Sequence, residues 1–157
     1  MTRITSLSKL LDLIVRMIVR SVKITHATIF LQEQDRPVYV VAVSRGRCRL
    51  PKKFIGNNSS NPLVHWLLKQ KVPLVYDEIV NQFKRDPNLN SNLRKNLEKI
   101  AQEMQDLDVS VCIPSFIENK LLGFLMLGEK LSGDMYTQED LDLFTTCLLY
   151  TSDAADE

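Results

Sequence analysis

Two pairs of strand-like segments, each joined by a short polar turn, constrain the fold of this chain most strongly. The first pair is His26–Gln32 (HATIFLQ) followed by Pro37–Ser44 (PVYVVAVS). The second pair is Val109–Ile117 (VSVCIPSFI) followed by Lys120–Glu129 (KLLGFLMLGE). All four are rich in β-branched, aromatic and other apolar residues, which suit a pleated and buried surface. Short polar connections favour hairpins, so each pair is predicted to lie antiparallel in a sheet. Both faces of Pro37–Ser44 are apolar, which predicts that this strand is covered on its two sides.

Segments with apolar residues at spacings of three and four separate these strands and predict helices. They lie at Thr5–Lys23, after the start signal Asn61-Pro62, between Asn90 and Asp106, and from the Thr137 cap onward. Arg45–Ser60 is predicted to be a long loop, Leu74–Tyr76 a brief strand, and the segment after it a loop with a helical turn. The order predicts an α+β sandwich with a mainly antiparallel central sheet of about five to six strands, flanked by helices.

Composition excludes several classes of protein. A length of 157 residues fits one domain. The formal net charge of +1 gives no electrostatic basis for binding nucleic acid. No apolar run reaches the roughly 18 residues that a membrane span requires. The chain shows no signal peptide, and its three cysteines are widely spaced, which is typical of reduced thiols in the cytoplasm.

The last eleven residues, 147–157 (CLLYTSDAADE), are interpreted separately from the rest. They resemble a translated sequencing adapter, and such segments are left out of fold reasoning. The predicted domain is therefore 1–146, and 147–157 is predicted to be a non-native tail. The natural chain is then expected to continue beyond Thr146, with its last helix truncated here. The alternative is a native acidic tail.

Three ordered patterns between residues 5 and 146 are specific enough to compare with known families. The first is a long helix that leads into the strand HATIFLQ. The second is the helix PLVHWLLK, followed by the strand VPLV. The third combines a strand containing Ile113-Pro114 and Phe116, the segment NKLLGFLMLG, and the helix start YTQEDL. Together they resemble the GAF family of sensory domains.

The resemblance implies a regulatory, small-molecule-sensing domain of a larger signal-transduction protein, of the sensor histidine kinase (two-component) or diguanylate cyclase type. It implies no catalytic residue and no cofactor in this chain, and a homodimer formed through the terminal helices. A ligand-free module for dimerisation or signal relay is the alternative. The implied pocket lies between the sheet and the helices and loops after the second strand. Its candidate lining residues are Phe54, Trp66, Tyr76, Cys112 and Phe116, although all five can equally complete a core.

The sequence matches the motifs of GAF domains with specialised ligands only in part. Lys130, Tyr136 and Asp140 are similar to part of the cyclic-nucleotide-binding set, but Glu129 and Leu141 depart from it. This departure argues against a cyclic nucleotide as the ligand. Bilin-binding members commonly attach their chromophore through a Cys-His pair, which this chain lacks.

Thiol and metal chemistry are the remaining alternatives. A GAF branch reduces free methionine sulfoxide with cysteine thiols, and Cys48 lies among arginines that favour a thiolate. Cys112 lies in mid-strand, which is typical of a buried small hydrophobe. His26 and His65 have no cysteine or carboxylate at ligand spacing, so no metal site is predicted.

Overall fold

A computed structural model describes residues 2–34, 36–46, 50–55, 61–88 and 90–156. These residues form five helices and six strands. In chain order they are α1 (Thr2–Val22), β1 (His26–Gln32), β2 (Val38–Gly46), β3 (Lys53–Ile55), α2 (Pro62–Gln70), β4 (Leu74–Val75), α3 (Tyr76–Arg85), α4 (Ser91–Leu107), β5 (Val111–Ile117), β6 (Lys120–Leu127) and α5 (Gln138–Asp156).

All six strands belong to one antiparallel sheet with the order β3-β2-β1-β6-β5-β4. Both predicted hairpins, β1-β2 and β5-β6, are confirmed. They are joined by the central β1-β6 pair, whose register runs from Ala27 opposite Leu127 to Leu31 opposite Gly123. The predicted α+β fold with a mainly antiparallel sheet is therefore confirmed.

Helices cover the two faces of the sheet and create two hydrophobic cores. Because side chains alternate along a strand, Ala27 and Ile29 of β1 face one core and Phe30 faces the other. The Ala27 side is covered by α1 and α5, and we call it the terminal-helix face. The Phe30 side is covered by α2, α3 and α4, and we call it the central-helix face.

The prediction that β2 is covered on both sides is wrong for its second half, where Val41 and Ala42 are exposed. A β-bulge in this half also changes the face on which the side chains lie. Ile29 pairs with Val43 and Phe30 with Val41, so Ala42 is the extra residue. A bulge shifts the inward and outward alternation by one position. Tyr39 therefore packs in the core of the central-helix face, whereas Val43 packs on the terminal-helix face.

Two segments contain more regular secondary structure than the sequence predicts. Lys53–Ile55, inside the predicted loop, forms the edge strand β3, which pairs with β2. The predicted loop with a helical turn after β4 is the ten-residue helix α3. Its acidic first turn and basic last turn complement the helix dipole, but only Ile79 is fully buried, so its apolar signal is short. Residues 47–49 and 56–60 of the predicted loop lie outside the described residues.

Helix α5 continues to Asp156, across the predicted boundary between 146 and 147. Leu148 is buried against the core of the terminal-helix face, and Cys147 packs beside it. The assignment of 147–157 as a non-native tail stays a prediction. Within the described residues, no helix is both long enough and apolar enough to cross a membrane.

Candidate functional site

All five predicted pocket residues lie on the central-helix face. Phe54 and Cys112 are fully buried in its core, and Trp66, Tyr76 and Phe116 are partly buried against it. The structure spreads them along this face. Trp66 lines a groove between α2 and α4, and Tyr76 lines a separate cleft at the end of the sheet. Their assignment to one ligand pocket stays a prediction.

Phe54 belongs to an aromatic cluster at the centre of this core. Its ring centroid lies 5.0 Å from that of Phe30 and 5.6 Å from that of Phe124, both in edge-on geometry. Tyr39 lies 5.4 Å from Phe124 and donates its hydroxyl to the backbone oxygen of Leu121 at 3.1 Å. Edge-on and tilted rings at these distances stabilise each other beyond simple burial. Phe54 thus has a clear packing role.

Cys112 is a core residue, as its mid-strand position predicts. Burial raises the pKa of its thiol, and the negative charge of Glu103 raises it further. A thiol with a raised pKa carries very little thiolate at neutral pH, so Cys112 is unsuited to nucleophilic or redox chemistry. Cys48, the other cysteine considered for such chemistry, lies outside the described residues.

Glu103, a residue that the sequence patterns did not single out, supports the start of α2. The Oδ1 atom of Asn61 accepts hydrogen bonds from the backbone N–H groups of Leu63 and Val64, both at 3.1 Å. Glu103 projects from α4 and accepts a longer bond from Leu63 N at 3.4 Å. Burial raises the pKa of the Glu103 carboxyl, and the bonds from Leu63 and Asn61 only partly offset this effect. A glutamate on an amphipathic helix normally faces solvent, so no sequence signal marks it.

The groove between α2 and α4 has a volume of about 230 Å³. Its apolar wall comes from Pro62, Leu93 and Ile100, and its polar lining from His65, Trp66, Lys69, Gln70 and Asn96. The indole Nε1 of Trp66 is buried, and it has no hydrogen-bond partner among the described residues. Leaving a buried donor unpaired costs about 1–3 kcal/mol. The N–H groups of Lys69, Gln70 and Asn96 in the same lining are suited to a ligand with acceptor atoms.

The three residues similar to the cyclic-nucleotide set contact one another where β6 leads into α5. Lys130 Nζ lies 2.6 Å from Asp140 Oδ2 and 5.3 Å from the centroid of the Tyr136 ring. The Tyr136 hydroxyl donates to the backbone oxygen of Gly128 at 2.6 Å. Burial raises the pKa of Asp140, but the bonds from Lys130 and Thr137 outweigh it, so the pKa is lowered overall. This cluster ties α5 to the sheet.

The two histidines differ in environment. His26 is fully buried, and its Nε2 lies 2.7 Å from the backbone oxygen of Asp108. A carbonyl only accepts, so Nε2 donates, and Nδ1 has no partner among the described residues. Gly128 packs on the ring so closely that a Cβ there would lie 2.4 Å from Cδ2. His65 is exposed. Among the described residues, no histidines, cysteines and carboxylates are grouped so as to hold a metal ion.

No protein-family model matches the sequence, and no curated protein sequence matches it. Solved structures do resemble it in fold. The GAF domain region of a putative membrane protein from Geobacter sulfurreducens PCA is 15% identical, with a TM-score of 0.66 over 99% of this chain and 97% of that one. Residues 122 to 287 of a methyl-accepting chemotaxis protein are 10% identical, with a TM-score of 0.68 over 98% and 93%.

A third similar structure is the type II free methionine-R-sulfoxide reductase from Thermoplasma acidophilum, which is 9% identical. Its TM-score is 0.63, over 97% of this chain and 94% of that one. At such low identities a structural likeness establishes the fold and leaves function open. The order of strands, the helices on both faces and the similarity to several GAF structures agree: this chain has the fold of a GAF domain.

Proposed function

We propose that this chain is a regulatory domain that senses a small molecule and belongs to a larger signal-transduction protein. The observation that carries the proposal is the groove between α2 and α4, which is lined by Trp66, whose buried indole Nε1 has no hydrogen-bond partner among the described residues. Binding sites commonly combine an apolar wall with a few polar groups that fix the orientation of the ligand. The groove has this combination of apolar and polar lining residues.

The chemistry of the lining suggests the class of ligand. Lys69 adds a positive charge to the groove, and Gln70 and Asn96 add amide groups to the same lining. A small molecule with an anionic, acceptor-rich end and an apolar body matches these groups. By resemblance to GAF domains, we propose a cytoplasmic location and an output domain of the histidine kinase or diguanylate cyclase type.

Isothermal titration calorimetry tests this proposal with a defined panel: branched and aromatic carboxylates, amino acids, cyclic AMP and cyclic GMP. We expect a carboxylate of the panel to bind with a Kd on the order of micromolar and Lys69→Glu to weaken it at least tenfold. The matched control is Lys95→Glu, which makes the same charge change at another exposed position of the central-helix face. The absence of binding by every compound would refute the sensing role assigned to this groove.

A ligand-free dimerisation or relay module is the second candidate, and exposed apolar residues favour it. Leu13 and Met17 on α1 and Leu143 on α5 are each about half exposed, and the two helices pack together on one face. Exposed apolar groups that cluster often mark an interface. We therefore also propose a homodimer through the terminal helices. Sedimentation velocity tests it: a monomer at every concentration would refute the dimer, whether or not a ligand binds.

We further propose that the domain itself is not a catalyst. The buried, high-pKa thiol of Cys112 supports this proposal. A thiol-dependent assay of free methionine sulfoxide reduction, with Cys48→Ser for comparison, tests it. Turnover by the unmodified chain that is lost in Cys48→Ser would overturn it.

A further inference from the structure

We propose that the groove between α2 and α4 takes up a proton at His65 when it binds an anionic ligand. Binding is then tighter in mildly acidic solution than in alkaline solution, so the groove responds to ligand and pH together. This inference rests on the sensing function proposed above and specifies how that site is regulated. It follows from the position of His65 beside Lys69 on one wall of the groove.

His65 and Lys69 share this wall because they are four residues apart in α2. Such a spacing places two side chains on one side of a helix, about 6 Å apart along its axis. Both residues line the groove and both are exposed, so their side chains are open to solvent and to a ligand. A carboxylate has two acceptor oxygens and can therefore contact both side chains at once.

The other described residues of the lining carry no ionisable group. They are Pro62, Trp66, Gln70, Leu93, Asn96 and Ile100. The lining therefore contains the positive charge of Lys69 and no carboxylate that would neutralise it. Lys71, which follows α2, is engaged elsewhere, since its Nζ donates to Asn119 Oδ1 at 2.7 Å. Protonation of His65 thus adds a second positive charge to the wall.

The charged side chains of α4, the helix packed against α2, lie outside the lining. Glu103 accepts a hydrogen bond from a backbone N–H at the start of α2, at 3.4 Å. Arg94 and Glu98 pair with each other, also at 3.4 Å. Lys95 and Lys99 are exposed and positive. The α4 side of the groove therefore leaves a bound anion as the natural partner for a charged histidine.

Proton and ligand favour each other through the charge of the groove. In the empty groove a protonated His65 repels Lys69, because like charges one helical turn apart oppose each other. A bound carboxylate attracts both charges, so binding draws a proton from solvent to a ring nitrogen of His65, and no covalent bond of the ligand changes. By linkage, the factor by which the proton tightens the ligand equals the factor by which the ligand tightens the proton.

Isothermal titration calorimetry at low salt tests this coupling with phenylacetate and 4-methylpentanoate, an aromatic and a branched carboxylate of the panel. Both probes are ionised between about pH 6 and pH 8, where histidine as a residue type changes its charge. We expect the Kd at about pH 6 to be at least threefold lower than at about pH 8. Proton uptake should appear as a difference in binding heat between two buffers of unlike ionisation enthalpy.

Two variants of His65 isolate the effect of its charge. His65→Gln stays neutral, so at both pH values it should bind with the weaker affinity that the wild type shows at the higher pH. His65→Lys is charged at both pH values and should keep the tighter affinity throughout. The matched ligand control is phenylacetamide, which is uncharged and should show no dependence on pH. Thermal unfolding of each variant at both pH values verifies that it folds.

The outcomes distinguish this inference from the sensing function. A carboxylate that binds equally at both pH values, or whose pH dependence survives in His65→Gln, overturns proton uptake at His65 but keeps the sensing role. Survival in His65→Gln would point instead to Glu103, whose raised pKa lets it lose its charge at a higher pH than an ordinary glutamate. No binding of either carboxylate at either pH overturns the assignment of a carboxylate ligand and, with it, this inference.

Discussion

The ion pair between Lys130 and Asp140 provides a quantitative prediction about how α5 is held to the sheet. The two side chains are only 12% and 19% exposed and lie 2.6 Å apart. Exposed pairs contribute about 0.2–1 kcal/mol. Breaking a fully buried pair costs about 3–5 kcal/mol, because one charge is left uncompensated. A mostly buried pair falls between these limits, and we expect a coupling free energy of about 2 kcal/mol.

A double-mutant cycle measures this coupling. Lys130→Met keeps an unbranched side chain of similar length without the charge, and Asp140→Asn keeps an acceptor for the Thr137 N–H, which lies 2.9 Å from Asp140 Oδ2. The free energies of unfolding of the wild type, both single variants and the double variant come from urea titrations followed by circular dichroism. Substitutions of this kind remove the charge with little change in packing.

The exposed pair of Arg94 and Glu98 on α4 is the matched control. Its side chains are 38% and 56% exposed, and its nitrogen and oxygen lie 3.4 Å apart. Its coupling should be below about 0.5 kcal/mol. A Lys130–Asp140 coupling no larger than that of the control would refute the reasoning from burial.

The same cycle has a predicted dependence on pH. The pKa of Asp140 is lowered in the folded chain, so its stabilising contribution is complete above the unfolded value of about 3.9 and is lost as the pH falls through the folded value. Coupling should therefore be constant near neutral pH and should decrease in acid. Coupling that rises in acid would contradict the assigned cause.

Three further predictions concern the sheet and the central-helix face. Gly123→Ala should lower the free energy of unfolding by about 3 kcal/mol in urea titrations, because the added Cβ would lie 2.1 Å from the backbone oxygen of Phe30 in β1. A loss below about 1 kcal/mol would argue against this close approach. In the native chain Cys112 should resist iodoacetamide at mildly alkaline pH and react only on unfolding, which peptide mass spectrometry can measure. Equal rates of alkylation in the native and unfolded chains would contradict the burial of this thiol. The pKa of Glu103 is raised in the folded chain, so ionisation of this carboxyl lowers the stability of the fold as the pH rises through the folded value. Glu103→Gln should therefore be more stable than the wild type at neutral pH. An equally large gain in acid would contradict this cause.

Local patterns predicted most of the secondary structure because most of its signals are local. The hairpins β1-β2 and β5-β6 follow from apolar runs joined by short turns, and the start of α5 follows from Thr137, whose hydroxyl accepts from Asp140 N at 3.1 Å. A glycine inside a strand is typical of a bulge or of a close approach by another backbone, and Gly123 has both. Its Cβ position meets the Phe30 backbone, and the pairing with β5 shifts between Gly123 and Leu121.

Features that depend on a distant partner could not be predicted in the same way. Strand β3 forms because three of its residues pair with β2, and its sequence is too short to predict a strand by itself. The bulge at Ala42 changes the face on which the following side chains lie. It arises from the pairing with β1, so it cannot be recognised from the sequence of β2 alone. Glu103 supports the start of α2 only because α4 packs beside it. The five pocket candidates all lie on the central-helix face, but their apolar character does not distinguish core from ligand contact.

The single tryptophan of the chain gives the most direct test of the sensing proposal. Trp66 contributes the only indole N–H resonance in a proton–nitrogen correlation spectrum, and its side chain lines the proposed groove. Titration with the panel of carboxylates, amino acids and cyclic nucleotides should shift this resonance saturably for at least one carboxylate, with further shifts at α2 and α4. An indole resonance that no compound moves, in a chain that still forms its dimer, would contradict sensing at this site and favour the ligand-free relay.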